Sequence, residues 1–267
     1  MDFLSVILAY LVSISLSGHG EPATAWVLRW RAHLVGRDLG AKLTMVIYAL
    51  LPALLVACLL WWVDNLIFNL VLSVTLLLLA FQSGDQPENL AQYQRLTAQG
   101  ERQAAWQLAV DELGLVGQIY EPDDELLDEG VQTGMSYLYL ERFFVSVFWF
   151  MAFGAPGVLL VWLMSTALRG EQADAFFQRV KQALYWIPVR LMALTLGLMG
   201  NFSQCFQVWL EQARDFDRDD RVLLLTCLKS ALGSVAPDEM LGETLSLIKR
   251  AQMAWLISLA VLLIFGF

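Results

Sequence analysis

The stretch Phe143–Leu168, FFVSVFWFMAFGAPGVLLVWLMSTAL, decides the fold of this chain because it is apolar throughout and has no ionisable side chain. A helix of about 20 apolar residues crosses a bilayer, and this stretch is longer than that. A helix is the expected element because its backbone N–H and C=O groups bond to each other, as hydrocarbon requires. Near its middle, Pro156 removes a backbone donor, and Gly154 and Gly157 permit a bend or close packing. The stretch predicts either one tilted, kinked span or two half-helices that meet at the bend.

The composition places the whole chain in the membrane class. Of its 267 residues, 58% are hydrophobic and 16% charged, against about 45–50% and 25% in soluble domains. The net charge of −9 argues against nucleic acid as a partner, because phosphate binding needs clustered Lys and Arg. The cysteines Cys58, Cys205 and Cys227 are far apart, and His19 and His33 are the only histidines. We therefore expect neither a disulfide framework nor a metal site built from cysteine or histidine. We also expect no cofactor, and membrane lipids as partners.

Apolar segments recur along the chain and predict an all-α polytopic integral membrane protein with about four to six membrane helices in a single membrane domain, 1–267. The approximate segments are 2–17, 43–63, 66–81, 143–168, 186–208 and 253–267, with polar helical inserts at 84–142 and 211–250. Asp2 stands where a secretory signal carries basic residues, so the first segment is interpreted as a retained helix.

Two topologies remain open. Six crossings would place 169–182 outside and 211–250 in the cytoplasm. If the central stretch is re-entrant and 186–208 lies along the surface, everything between 82 and 250 is cytoplasmic. The basic segment Glu21–Lys42 has the spacing of an amphipathic helix in the headgroup layer, and its charge predicts the cytoplasmic side.

The first polar insert has the spacing of a helical hairpin. Apolar residues recur there at intervals of three or four, which predicts two helices packed against the membrane; they are Leu90, Tyr93 and Leu96, then Trp106, Val110 and Leu113. The acidic residues Asp123 and Asp124 follow a proline at an expected helix start, where carboxylates favour the helix dipole. A Mg²⁺ or Ca²⁺ site is the alternative, although the spacing is not that of an EF-hand.

The segment Trp186–Leu191, WIPVRL, combines a proline and an arginine with apolar residues. The residue before a proline avoids the helical region, so we expect Pro188 to open a helix at its first turn. Arg190 would then lie one turn inside an apolar helix, where a cation must snorkel, pair with a carboxylate or bind an anion. The sequence leaves open whether Arg190 has a structural or a functional role.

Two motifs carry a resemblance to a known family: ERFF…FWF…FGAPGVLL…L from Glu141 to about Leu163, and WIPVRL at Trp186–Leu191. With the basic segment before two apolar runs, their order and spacing resemble the AmpE family. That family consists of bacterial inner-membrane proteins encoded beside the cytoplasmic anhydromuropeptide amidase and linked to β-lactamase induction. The resemblance implies a multi-pass protein of the inner (cytoplasmic) membrane with a functional link to that amidase.

A more distant resemblance is to the membrane-bound adenosylcobinamide-phosphate synthases, which have a similar aromatic segment before G-x-P-G and a W-[IV]-P-[AV]-R-L motif. In those enzymes a V-N-T-L-D segment follows G-x-P-G, and here Ser165 replaces its Asn and Leu168 its Asp. Their E-N-x-x-D sequence falls on Tyr137–Glu141, where the order differs. The polar groups that would position ATP, Mg²⁺ or the acyl partner are thus largely missing.

The leading hypothesis is therefore a non-catalytic signalling protein in β-lactamase induction and cell-wall recycling, with a muropeptide or lipid-linked anion as its ligand. No catalytic residue is predicted, and the candidate ligand-binding residues are Arg190, Arg142, Glu141, Pro156 and Trp186. The alternative is an ATP-dependent membrane ligase or synthase that uses Glu141, Asp123 and Asp124. A small transporter is a third alternative, based on the broken central stretch.

Overall fold

The computed structural model describes residues 2–15, 24–35, 40–63, 65–81, 86–116, 120–122, 126–167, 175–213, 219–236 and 239–265. In these ranges the chain forms helices and turns, without β-strands. Three helical segments are long and apolar enough to cross a membrane: Lys42–Trp62, Ala175–Met199 and Met240–Leu262. Three shorter helical segments, Leu4–Ile14, Leu66–Phe81 and Ala155–Ala167, are also apolar. The prediction of an all-α polytopic membrane protein is confirmed.

The helices follow one another in this order. They are α1 (Asp2–Ser15), α2 (Thr24–Val35), α3 (Ala41–Met45), α4 (Leu51–Trp62), α5 (Leu66–Phe81), α6 (Gln86–Ala98), α7 (Arg102–Glu112), α8 (Leu127–Tyr139), α9 (Ser146–Phe153), α10 (Ala155–Ala167), α11 (Ala175–Met199), α12 (Phe202–Gln212), α13 (Asp220–Leu232) and α14 (Met240–Ile264). Two π-helical stretches, Val46–Leu50 and Leu140–Val145, connect α3 to α4 and α8 to α9.

The described helices group into two compact units. Unit 1 is Met1–Ser83 with Glu141–Ile187, and unit 2 is Gly84–Leu140 with Pro188–Phe267. In unit 1, α10 is the central helix, because it packs against α2, α4, α5 and α9. This helix is apolar nearly all round, and every residue from Val161 to Ala167 is buried, as expected of a helix surrounded by others. The single membrane domain inferred from the sequence stays a prediction.

Unit 2 contains the expected helical hairpin, formed by α6 and α7. All six residues that gave the helical spacing lie in or against one buried cluster: Leu90, Tyr93 and Leu113 inside it, and Leu96, Trp106 and Val110 packed on it. Tyr93 also donates a 2.7 Å hydrogen bond to Asp128 of α8. Burial, and secondly this hydrogen bond, raise the pKa of Tyr93 above its ordinary value.

The central stretch consists of two helices and not one span. The first, α9, ends at Phe153, and Gly154 then adopts a φ of +67° before α10 begins at Ala155. Only glycine takes up this conformation at low cost. Pro156 is the second residue of α10, where its missing N–H group has no helical partner to lose. The break therefore occurs at Gly154, and Pro156 lies in the first turn of the second half-helix.

The expectation that Pro188 opens a helix was wrong. The helix α11 begins at Ala175 and passes through Pro188 without interruption. Its end at Met199 is set by Gly200 and by Asn201, whose side chain caps α12 by accepting a hydrogen bond from the Gln204 N–H group. The predicted segment 186–208 thus contains the end of α11 and the beginning of α12. The start of α11 is not determined by the sequence around Pro188.

One other segment boundary differs from the sequence expectation, and one predicted segment contains a π-helical stretch. The last apolar run, predicted at 253–267, begins inside the longer helix α14, which extends from Met240 to Ile264. In the segment 43–63, the π-helical stretch Val46–Leu50 precedes Pro52, and the Leu51 N–H group bonds to the Val46 carbonyl. A π-helical turn before a proline gives space for the proline ring and adjusts the hydrogen bonds around the missing N–H group.

Candidate functional site

Trp149 of α9 bonds to the turn of α11 that precedes the second sequence motif. Its indole Nε1 donates a 3.0 Å hydrogen bond to the carbonyl oxygen of Leu184. In a regular helix that oxygen accepts from the N–H group of residue 188, and Pro188 has none. Trp149 therefore supplies the donor that the proline lacks, which is the physical reason why α11 continues through Pro188.

The backbone of Trp149 also fixes the bend between α9 and α10. Gly157 of α10 lies so close to it that an added Cβ would overlap the Trp149 carbonyl oxygen and lie 3.1 Å from its carbonyl carbon. Because these residues lie on opposite sides of the Gly154 break, α10 folds back sharply on α9. One tryptophan thus contacts the glycine of the first motif and the helix that carries the second.

Replacing Trp149 with phenylalanine is expected to cost about 1–2 kcal/mol of folding free energy, because the partly buried Leu184 carbonyl loses its donor. The additional change Pro188→Ala restores an N–H group at position 188 and should recover most of that loss. A double-mutant cycle on thermal or denaturant unfolding measures this coupling. Additive effects of the two substitutions would show that the tryptophan does not replace the missing helical donor.

An ion pair lies beside this junction in unit 1. Glu141, in the π-helical stretch, accepts a short hydrogen bond from the ammonium group of Lys181 on α11. Their side chains are 9% and 17% exposed, respectively. The Lys181 ammonium also lies 4.9 Å from the centre of the Tyr185 ring, a cation–π contact. Paired ionisable groups among apolar helices are costly, and in membrane proteins they commonly mark ligand or ion sites.

The sequence had not identified Lys181 as a site residue. The sequence predicts a short amphipathic connection at 169–182, which separates Lys181 from the WIPVRL motif. In the structure Lys181 lies on the same helix as that motif, one turn before Tyr185. The sequence could have indicated that Lys181, Tyr185 and Trp186 lie close together, but only if one helix had been predicted to continue through Pro188.

The other predicted site residues of unit 1 lie on three elements. Arg142 follows Glu141 in the π-helical stretch, Trp186 is on α11, and Pro156 is in the first turn of α10. All three are partly buried. The residue that the structure brings to Glu141 is Lys181, and the assignment of Arg142, Trp186 and Pro156 to a ligand site stays a prediction.

Arg190 belongs to unit 2, where it connects the ends of two helices. Its Nε atom donates a 2.6 Å hydrogen bond to the carbonyl oxygen of Ala213, at the C-terminus of α12. Its Nη1 atom lies 3.8 Å from the Asp220 carboxylate in the first turn of α13. Its own backbone carbonyl accepts a 2.9 Å hydrogen bond from the Trp209 indole. Arg190 is 5% exposed, and its guanidinium lies where a helix end carries partial negative charge.

The polar residues in the synthase-like segment bond to their own helix. The hydroxyl groups of Ser165 and Thr166 both donate to the Trp162 carbonyl, at 2.9 and 2.8 Å. Leu168, Asp123 and Asp124 lie outside the described residues. Within the described ranges, no group of three or more His, Cys, Asp or Glu side chains could hold a metal ion.

Comparisons with known proteins give one match over the whole chain and two over parts of it. The model of the family described as "Regulatory signalling modulator protein AmpE" matches residues 1–267. The "Cobalamin biosynthesis protein CobD" of Stutzerimonas stutzeri is 31% identical over 123 residues, 42% of this chain and 41% of that protein. The protein of the same description from Chromobacterium violaceum is 29% identical over 160 residues, 55% of this chain and 49% of its own. The chain thus matches less than half of each relative's length, and no solved structure matches it.

Proposed function

Because the chain belongs to the AmpE family of regulatory signalling modulator proteins, we propose that it regulates β-lactamase induction and cell-wall recycling from the bacterial inner membrane. It crosses that membrane several times and acts by binding a ligand, without catalysing a reaction. Its functional partner in this proposal is the cytoplasmic anhydromuropeptide amidase. The family match over the full length of the chain is the main support.

The ion pair of Glu141 and Lys181 supports a ligand-binding role for unit 1. A buried pair contributes little net stability, because the desolvation of both charges offsets their attraction. A muropeptide or lipid-linked anion can replace the Glu141 carboxylate as the partner of Lys181. Arg142 is adjacent in sequence, and Trp186 offers an amphipathic aromatic surface on the same helix as Lys181. These residues form the proposed ligand site.

The junction at Trp149 can couple ligand binding to a change in helix arrangement. Lys181 and the Leu184 carbonyl lie one turn apart on α11, and Trp149 connects that turn to the Gly154 break. A ligand that moves this turn of α11 changes the support of the half-helices α9 and α10. Regulation requires such an element with two arrangements that the ligand stabilises to different degrees.

Two substitutions at the ion pair are expected to change signalling in opposite directions. Lys181→Met removes the cation that binds the anion, so the induction response should fall to that of a deletion strain. Glu141→Gln removes the competing carboxylate and should strengthen anion binding, so the response should begin at a lower inducer concentration. Both are measured as β-lactamase activity against inducer concentration, with the amount of membrane-inserted protein determined for each strain.

Lys42→Met is the matched control, because Lys42 is an exposed lysine of α3 in the same unit. Purified protein is also melted with anhydromuropeptide, where a ligand at about 100 times its Kd adds about 2.7 kcal/mol of stability. An unchanged induction profile in the deletion strain, together with unchanged melting, would refute the proposed function.

An ATP-dependent membrane ligase or synthase is the second candidate, supported by the two partial matches to CobD proteins. In that case Glu141, Asp123 and Asp124 would serve the reaction, and Mg-ATP would bind the native protein. Binding to the native state must raise the melting temperature. A rise with Mg-ATP that is absent with Mg²⁺ alone would favour this candidate over the signalling role.

A further inference from the structure

A groove in unit 2 lies along the helix α14, with residues from Gly242 to Ser258 in its lining. Its volume is about 870 Å³, within the range of pockets that hold small molecules. The last residue of α11, Met199, forms one wall. A 3.0 Å hydrogen bond from the Trp255 indole to the Thr195 hydroxyl holds α14 against α11 beside it.

The chemistry of this groove changes along the axis of α14. Its lining on α14 runs from Gly242 and Ser246 through Lys249 to Met253 and Ile257, at helical spacing on one face. Met253 and Ile257 are 48% and 64% exposed. The groove is thus small and polar at one end, positively charged next to it and apolar at the other end. A bilayer changes in the same order from its headgroups to its acyl chains.

Two adjacent cations, Lys249 and Arg250, face the groove at the boundary between its polar and apolar parts. Among the described residues, no carboxylate lies within ion-pair distance of Lys249. Arg250 lies 3.6 Å from Glu243, but both side chains are about half exposed, so water screens that pair. The groove therefore presents positive charge in a chain whose net charge is −9.

We propose that this groove binds an anionic phospholipid of the surrounding membrane. The phosphodiester lies against Lys249 and Arg250, and an acyl chain runs over Met253 and Ile257. The space beside Gly242 holds the rest of the headgroup, since a Cβ added there meets no atom within 4 Å. The binding is independent of the ion pair in unit 1 and of the proposed signalling function.

A second copy of the chain fits this face less well. In a symmetric dimer the same surface is used twice, so the basic residues of both copies would enter one apolar interface. Burying like charges together in a medium of low dielectric constant is unfavourable. A lipid phosphodiester instead neutralises the cations, and its acyl chain covers the exposed apolar side chains.

The test is lipid binding by the full-length protein in a neutral detergent, measured by native mass spectrometry during titration with phosphatidylglycerol. Each cation near a membrane surface strengthens binding of an anionic lipid about fivefold. The double variant Lys249→Gln with Arg250→Gln should therefore bind about thirtyfold more weakly. Phosphatidylcholine with the same acyl chains should bind the unchanged protein as weakly as phosphatidylglycerol binds this variant.

The matched control is Arg95→Gln with Arg102→Gln, which removes the same charge from exposed positions on α6 and α7 and should leave binding unchanged. The substituted side chains in both variants are exposed, so melting should not change, and the measurement is made at equal folded fraction. Equal losses in the two double variants would overturn the proposal. So would displacement of the lipid by inorganic phosphate, or a dimer that the Lys249 and Arg250 substitutions dissociate.

Discussion

Replacing Gly157 with alanine lowers the free energy of unfolding by about 2–3 kcal/mol, the cost of forcing extra volume into a closely packed site. The new methyl group overlaps the carbonyl oxygen of Trp149 and lies 3.1 Å from Cβ of Phe153. Both belong to α9, and the oxygen is backbone, so a side-chain rotation cannot relieve the overlap. The gain of about 1 kcal/mol from helix propensity is smaller than this cost.

The measurement is unfolding of the purified protein in detergent, by temperature or by denaturant. Gly242→Ala is the matched control, since Gly242 is also helical but an added Cβ there meets no atom within 4 Å. The control should be unchanged or more stable by up to about 1 kcal/mol. Equal stability of the two variants would mean that α10 does not fold back on the Trp149 carbonyl.

Replacing Arg190 with methionine is expected to cost about 3–5 kcal/mol, the range for removing one member of a buried ion pair. Methionine retains the apolar part of the side chain but leaves the Ala213 carbonyl without its 2.6 Å donor. It also removes the cation that lies 3.8 Å from the Asp220 carboxylate, whose side chain is 12% exposed. The ends of α12 and α13 thereby lose their common partner.

Two further substitutions separate the contributions of Arg190. Arg190→Lys keeps the charge but loses the rigid guanidinium that reaches both partners, so an intermediate loss of stability is expected. Asp220→Asn should cost less than either, because its 3.8 Å separation is long for a hydrogen bond. Arg95→Met, at an exposed cation of α6, should stay within about 0.5 kcal/mol of the unchanged protein. A similarly small effect at Arg190 would point to a role in ligand binding and not in folding.

These two sites show what the residues of the two motifs do in this chain. In the first motif, Gly157 and Trp149 make the bend and also support α11. In the second motif, Arg190 binds a helix end and a carboxylate of unit 2. The residues that carry the resemblance thus have packing and hydrogen-bonding roles, which a regulatory protein and an enzyme can share.

Local features of the sequence determined the membrane class, the helical content and the two faces of the α6–α7 hairpin. Apolar length and helical spacing are properties of neighbouring residues, so the sequence shows them directly. The same holds for the bend in the central stretch, because Gly154 and Pro156 act on their own backbone. The sequence could not choose between a kinked span and two half-helices, since that choice depends on the contact between Gly157 and Trp149.

Only the tertiary structure decided the continuity of α11, the partner of Glu141 and the partners of Arg190. Trp149 lies 35 residues before the Leu184 carbonyl it bonds, and Glu141 lies 40 residues before Lys181. A proline predicts a helix start when only its neighbours are considered, but a distant indole donor allows the helix to continue. The sequence alone determined where apolar helices form, and the tertiary structure decided which distant groups satisfy the polar atoms that these helices bury.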